Sequence, residues 1–212
     1  NLRGGSAALY TYTPQDYTPA PEGFEAFHIE HMGRHGSRMH VSPAQVRELH
    51  DQLAAADSAN LLTAKGKRLL GEMEAYAKQM YRRYGDLTPI GREQQRQIAR
   101  RMYENFPEIL SGEGSVSAIS TLIPRSAASM GAFAEQLKGC NPELTIEMEV
   151  SRKFDPFLRF NQGPEFQQFL KGPTWRKQYD AYAEMLLDPT RLMGSLLKGG
   201  NTATIAEPRR FM

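Results

Sequence analysis

The sequence predicts an α/β fold: a three-layer sandwich with a mainly parallel sheet, followed by the start of an inserted helical subdomain. Three observations predict it. Strand-like segments at 24–32, 115–122 and 144–150, the first and last alternating apolar and polar residues, are interleaved with segments of helical periodicity. Ser42-Pro43 and Thr88-Pro89 have the form of helix starts, an N-cap hydroxyl followed by proline at the first helical position. Beyond Phe154 the strand patterning stops, and Phe, Leu, Trp175 and Tyr recur three and four apart through 164–198.

Residues 1–23, with Gly4, Gly5, Pro14, Pro19, Pro21 and Gly23, form an extended arm in this reading. The α/β core occupies 24–153. Phe24–Met32 opens it as a strand, with Phe27, Ile29 and His31 on one face. A helix follows from Ser42, with Gln45 placed as capping-box partner and Val46, Leu49 and Leu53 as its apolar stripe. The next helix spans about Ala64–Tyr84, closed by Gly85, with Leu69, Leu70, Met73, Tyr76 and Met80 inward. Thr88 caps a third that stops before Pro107. "SVSAISTL" (115–122) is a buried strand that turns at Pro124 into a helix capped by Gly139, and "LTIEMEV" (144–150) is a second clean alternation. Residues 154–212 form the mostly helical subdomain, expected to be incomplete.

Bulk composition narrows the function classes. Lys plus Arg number 26 against 24 Asp plus Glu, a formal charge of +2, too small to argue nucleic-acid binding. Arg92, Arg96 and Arg100 stripe one helix, but no aromatics interleave with them, so a solvated face is the expectation. No apolar run approaches the ~20 residues of a membrane span. Cys140 is the only cysteine, which excludes an intrachain disulfide and a cysteine-based zinc site.

The segment "HMGRHGSRMH" (31–40) carries the chemistry. His31, Arg34, His35, Arg38 and His40 fall within ten positions, with His28 just upstream and only Glu30 nearby to balance them. Like charges this close repel, so the segment makes sense around an anion. Arg34, His35 and Arg38 follow one expected strand, and Arg125 follows another, again in front of a helix. Ligands of open α/β sheets collect at such strand ends. Three guanidiniums there make a phosphate site, since their planar forks match phosphoryl oxygens bidentately. His35 among them adds reactivity: neighbouring cations keep an imidazole neutral, and a neutral ring nitrogen attacks phosphorus.

"RHGSR" (34–38), "LTPIGREQQ" (87–95) and "PRSAASMGAF" (124–133), in that order, resemble the motifs of the histidine phosphatase superfamily. The likeness is to its histidine acid phosphatase and phytase branch, including the multiple inositol polyphosphate phosphatases. "FDPFLRFNQGPEF" (154–166) is similar to the segment leading into that branch's helical domain, and the resemblance covers about 24–170. It implies a phosphomonoesterase, acting through a covalent phosphohistidine at His35. Arg34, Arg38 and Arg125 hold the phosphoryl oxygens, and His40, at the rim, is a further expected substrate contact. No metal or other cofactor is implied. The partner is a phosphorylated small molecule, with inositol phosphates favoured, and the setting is periplasmic or secreted.

The sequence departs from the family pattern in two places. Met39 and His40 stand where many members carry an aromatic or other residue and then proline. The family's later histidine, followed by Asp or Ala-Glu, has no counterpart, since no histidine follows His50. That motif supplies the acid which protonates the leaving oxygen, so the expectation is an N-terminal portion of the enzyme, impaired on alkyl phosphates. Two other readings stay open: a phosphotransferase or mutase passing the phosphohistidine to a second hydroxyl, and a non-catalytic phosphate-binding module. His28 and His31 read as structural, His50 as surface, and Met73, Met80, Met102 and Met130 as core filler.

Overall fold

The computed structural model describes residues 10–200 and Ile205. In chain order its helices and strands are α1 (Pro43–Ser58), α2 (Ala64–Gln79), α3 (Pro89–Asn105), α4 (Pro107–Leu110), β1 (Gly114–Ser120), α5 (Pro124–Cys140), β2 (Leu144–Val150), α6 (Asp155–Leu158), α7 (Pro164–Lys171), α8 (Pro173–Leu186) and α9 (Thr190–Leu196). They divide into two compact units, one of 10–39 with Gly85–Gln162, the other of His40–Tyr84 with 163–200 and Ile205. The boundary after Gln162 lies close to the composition change at Phe154. The second unit, however, also takes α1 and α2, which the sequence reading placed in the 24–153 core.

In the first unit β1 and β2 pair in parallel, Gly114 opposite Leu144 through Ser120 opposite Val150. A parallel pair needs a crossover, and α5 supplies it. Helices α3 and α5 pack on each other, and Ala99, Leu110, Leu137 and Leu144 are buried at their meeting with the sheet. The buried Asn141 amide donates to the carbonyls of Leu110 (2.7 Å) and Gly112 (2.8 Å), fixing the turn into β1. The architecture is thus mixed helix and strand, with a small parallel sheet of two strands among the described residues.

The second unit is helical. Leu53, Ala56, Leu62, Met193, Leu196 and Leu197 are its buried core. Thr63, the N-cap of α2, donates its hydroxyl to the Ser195 carbonyl at 2.7 Å, and its backbone N–H reaches Leu196 O at 2.9 Å. Segments far apart in sequence are thereby stapled through backbone groups that would otherwise be unsatisfied.

Several expectations are met closely. Ser42 and Thr88 cap α1 and α3 with proline in the first turn, β2 spans the alternating 144–150, and 164–196 is mostly helical. Others need correction. Phe24–Met32 forms no strand. Alternation specifies which side chains share a face, but a strand also needs a ladder partner, and among the described residues β1 and β2 pair only with each other. Phe27 is 92% exposed and Met32 82%, while Ile29 packs on the first core. Helix α2 ends at Gln79 rather than Tyr84, because Arg82 adopts φ +59°, a left-handed conformation no α-helix continues. Gly139 does not cap α5, which runs on to Cys140. Of the expected N-terminal arm, 1–9 lie outside the described residues. From 10 onward the arm lies on α3: Tyr10 accepts from Arg101 (3.1 Å), and Arg101 stands 4.4 Å over the Tyr12 ring.

Candidate functional site

The segment Arg34–Arg38 is held from both sides by the first unit's two long helices. The Gly36 backbone N–H donates to Ser129 Oγ of α5 at 3.0 Å, a buried bond. The Ser37 N–H donates to Gln94 of α3 at 2.9 Å, and the Ser37 carbonyl accepts from both the hydroxyl and the backbone N–H of Thr88, each at 2.9 Å. Gln95 of α3, itself buried, donates to the Arg34 carbonyl at 3.2 Å. Arg38 and Leu87 form an isolated antiparallel bridge. The backbone of Arg34, Gly36, Ser37 and Arg38 is thus fixed by partners that arrive between 49 and 93 residues later.

Two glycines make this approach possible. A Cβ on Gly36 would fall 2.6 Å from the Gly91 carbonyl carbon, and one on Gly91 would fall 2.6 Å from Ser37 N and closer still to Ser37 O. The loop lies directly on the first turn of α3, so both positions require the hydrogen side chain. The spacing has a local logic. Thr88 caps α3 through the Gly91 N–H, and Gln94 and Gln95 lie three and four residues beyond Gly91, on the same helix face.

His35 is half-buried, and its Nδ1 lies 2.8 Å from Gly36 O. A carbonyl only accepts, so Nδ1 carries the proton. In the neutral ring the lone pair is therefore on Nε2, for which no hydrogen-bond partner occurs among the described residues. Burial pushes the His35 pKa down. The hydrogen bond to Gly36 opposes this, and the charges of Arg125, Arg34 and Arg38 reinforce it. The ring is accordingly neutral at and above ordinary imidazole pH.

Arg125 sits in the first turn of α5, directly after Pro124. Its Nε is buried and without a hydrogen-bond partner among the described residues. Desolvation, then Arg38, Arg34 and Arg159, push its pKa down. Arg34, Arg38 and Arg125 form no ion pair with any described carboxylate. Segments ninety residues apart therefore bring three uncompensated guanidiniums within electrostatic reach of one neutral imidazole. Such a group is chemically suited to an oxyanion, and the fork geometry of the arginines to phosphoryl oxygens.

The surroundings of three other histidines are as follows. His40 belongs to the second unit, is exposed, and accepts the Ser42 N–H at 3.2 Å. His31 stacks on Phe133 with 5.3 Å between ring centres. His50 lies 3.0 Å from Asp51. Arg96 of the basic stripe pairs with Glu135 at 3.0 Å.

Sequence reasoning missed Ser129 and Arg159. Ser129 had a usable signal, since it lies four residues after Arg125 and so on the same face of α5. Arg159, whose charge is the smallest of the influences lowering the Arg125 pKa, had none at the level of spacing. No family model matches the chain, and no curated protein was found to match it.

Proposed function

We propose that this chain carries the phosphoryl-transfer centre of a phosphomonoesterase of the histidine acid phosphatase type. The observation that carries the reading is the pairing of a tautomerically fixed, neutral His35 with three guanidiniums that have no carboxylate partner among the described residues. In the first step Nε2 forms a bond to phosphorus as the ester P–O bond breaks, and the leaving oxygen takes a proton from an acid or departs as the anion. Arg34, Arg38 and Arg125 neutralise charge on the equatorial oxygens as it develops. Water then attacks phosphorus, the N–P bond breaks, and orthophosphate and the free imidazole are regenerated.

The same reading places β1 and β2 within a three-layer α/β sandwich and favours inositol phosphates in a periplasmic or secreted setting, both from the motif resemblance. General acid catalysis contributes roughly 10²–10⁴-fold, and His35 with its arginines supplies none. The test is phosphate release from p-nitrophenyl phosphate against an alkyl phosphate. The aryl ester should be cleaved far faster, and His35→Ala should abolish both reactions. Undiminished turnover in His35→Ala would remove the basis of the reading.

A further inference from the structure

Arg125, Ser129 and Phe133 lie four residues apart in turn and so share one face of α5. The first belongs to the guanidinium group, and the second accepts the Gly36 N–H at 3.0 Å. The third carries the His31 ring stacked upon it, with 5.3 Å between ring centres and 11° between planes. Two anchors on the same helix face, one turn apart, therefore hold positions 31 and 36 and bracket Arg34 and His35 between them.

The stretch before Arg34 needs such a tie. Ile29 packs on the first core, but Glu30, Met32 and Gly33 are exposed, and none of 30–33 lies in a helix or strand. A segment with so few buried contacts is free to shift unless a side chain grips a rigid element. Gly33 belongs to the same arrangement: a Cβ there would fall 2.9 Å from His31 Nε2, so the ring occupies the space a side chain at 33 would take. Partial desolvation pushes the His31 pKa down, and the ring that stacks is the neutral one. His31 is exposed overall and lies outside the buried core, so removing it loosens a tie and opens no cavity.

We propose that His31 is a positioning residue: stacked on Phe133, it fixes the register of 31–36 along α5 and thereby aims His35 at the phosphoryl group. It touches no substrate and exchanges no proton, and acts only through the backbone it anchors. The proposal rests on the phosphate reading of the His35 group and adds to it the device that sets the angle of attack.

The experiment follows p-nitrophenyl phosphate kinetics, the imidazole NMR of His35 and thermal unfolding in the intact chain and its variants. His31→Ala should lower kcat roughly tenfold, the rate equivalent of one aromatic pair. KM should stay within about twofold, and the His35 midpoint should move up toward 6.5 as the loop loosens. His31→Phe keeps the stack and should restore most of kcat. Gly33→Ala should push the His31 ring aside and lower kcat, yet add nothing in the His31→Ala background, where the space is open. Tyr17→Ala is the control: it removes a ring pair of similar spacing, Tyr17 on Phe106 at 5.6 Å, at the far end of α3. It should leave kcat and the His35 midpoint unchanged, whatever it does to the melting temperature. Unchanged kcat and midpoint in His31→Ala, a His31→Phe chain as impaired as His31→Ala, or equal damage from Tyr17→Ala overturns the proposal. So does Gly33→Ala with the same effect in both backgrounds. Absence of turnover in the unsubstituted chain overturns the phosphate reading instead, and the midpoint alone then decides the anchor: raised in His31→Ala but not in Tyr17→Ala if it holds, unmoved in both if it does not.

Discussion

Gly91→Ala puts the positioning argument under the sharpest strain, because it touches no charged group. The added Cβ would meet Ser37 N at 2.6 Å and Gly36 C at 2.9 Å, with Ser37 O nearer still. All three are backbone atoms, so no side-chain rotation relieves them. Ordinary van der Waals contact for such a Cβ begins near 3.4 Å, and the Arg34–Arg38 segment must retreat by roughly 1 Å. A misplacement of that size costs on the order of 10²-fold in rate. Overpacking of this kind also costs about 1–3 kcal/mol of stability. Gly131→Ala is the matched control, since its Cβ would meet nothing within 4 Å. Helix propensity there favours alanine by up to about 1 kcal/mol. The assay is kcat/KM on p-nitrophenyl phosphate, with thermal unfolding followed by circular dichroism on the same samples. Gly91→Ala should remain folded and lose about two orders of magnitude, while Gly131→Ala keeps full turnover and melts no lower. Gly91→Ala with turnover within a factor of about two of the unsubstituted chain would show that the loop does not need its seat on α3.

Other consequences can be checked alongside. Ser129→Ala leaves the buried Gly36 N–H without its acceptor and should cost about 1–3 kcal/mol in denaturant unfolding; no loss would mean that another group or water replaces the hydroxyl. Burial and the cations disfavour the protonated ring, so His35 should titrate by imidazole NMR with a midpoint below 6.5, and Arg125→Gln should move that midpoint upward. A midpoint unmoved or lowered by that substitution would contradict the electrostatic coupling. The same depression gives a stability term with a definite sign. The unfolded chain binds the proton first as pH falls, so the contribution is fully present above 6.5 and is lost as pH falls through the folded-state value. Equilibrium unfolding at several pH values should show a smaller acid loss in His35→Gln than in the unsubstituted chain.

How much of this the residues announced differs from place to place. Helix starts were legible because capping is local: Ser42-Pro43 and Thr88-Pro89 satisfy their own first-turn N–H groups within three residues. Helix ends were less so. Tyr76 and Met80 continue the apolar spacing of α2, yet Arg82 at φ +59° ends any helix there. Phe24–Met32 shows the limit of alternation, since its pattern is that of a strand and its hydrogen-bonding partner is not set by its own sequence. At the site, the arginines around His35 were legible because their repulsion in so short a segment is unexplained without an anion. Arg125 was legible from its place after a strand and before a helix. Ser129 escaped because its role depends on a tertiary approach, its hydroxyl accepting the Gly36 N–H from 93 residues away. His40, adjacent in sequence, is exposed and accepts the N–H of Ser42.

The decisive measurement is rapid-quench labelling with a ³²P-phosphorylated aryl ester, the denatured protein being divided between acid and alkali. The account requires label on the chain that survives alkali, disappears in acid, and maps to His35. Label that survives acid, or equal labelling of a His35→Ala chain, would place the covalent chemistry on another residue and leave the three guanidiniums without the nucleophile assigned to them.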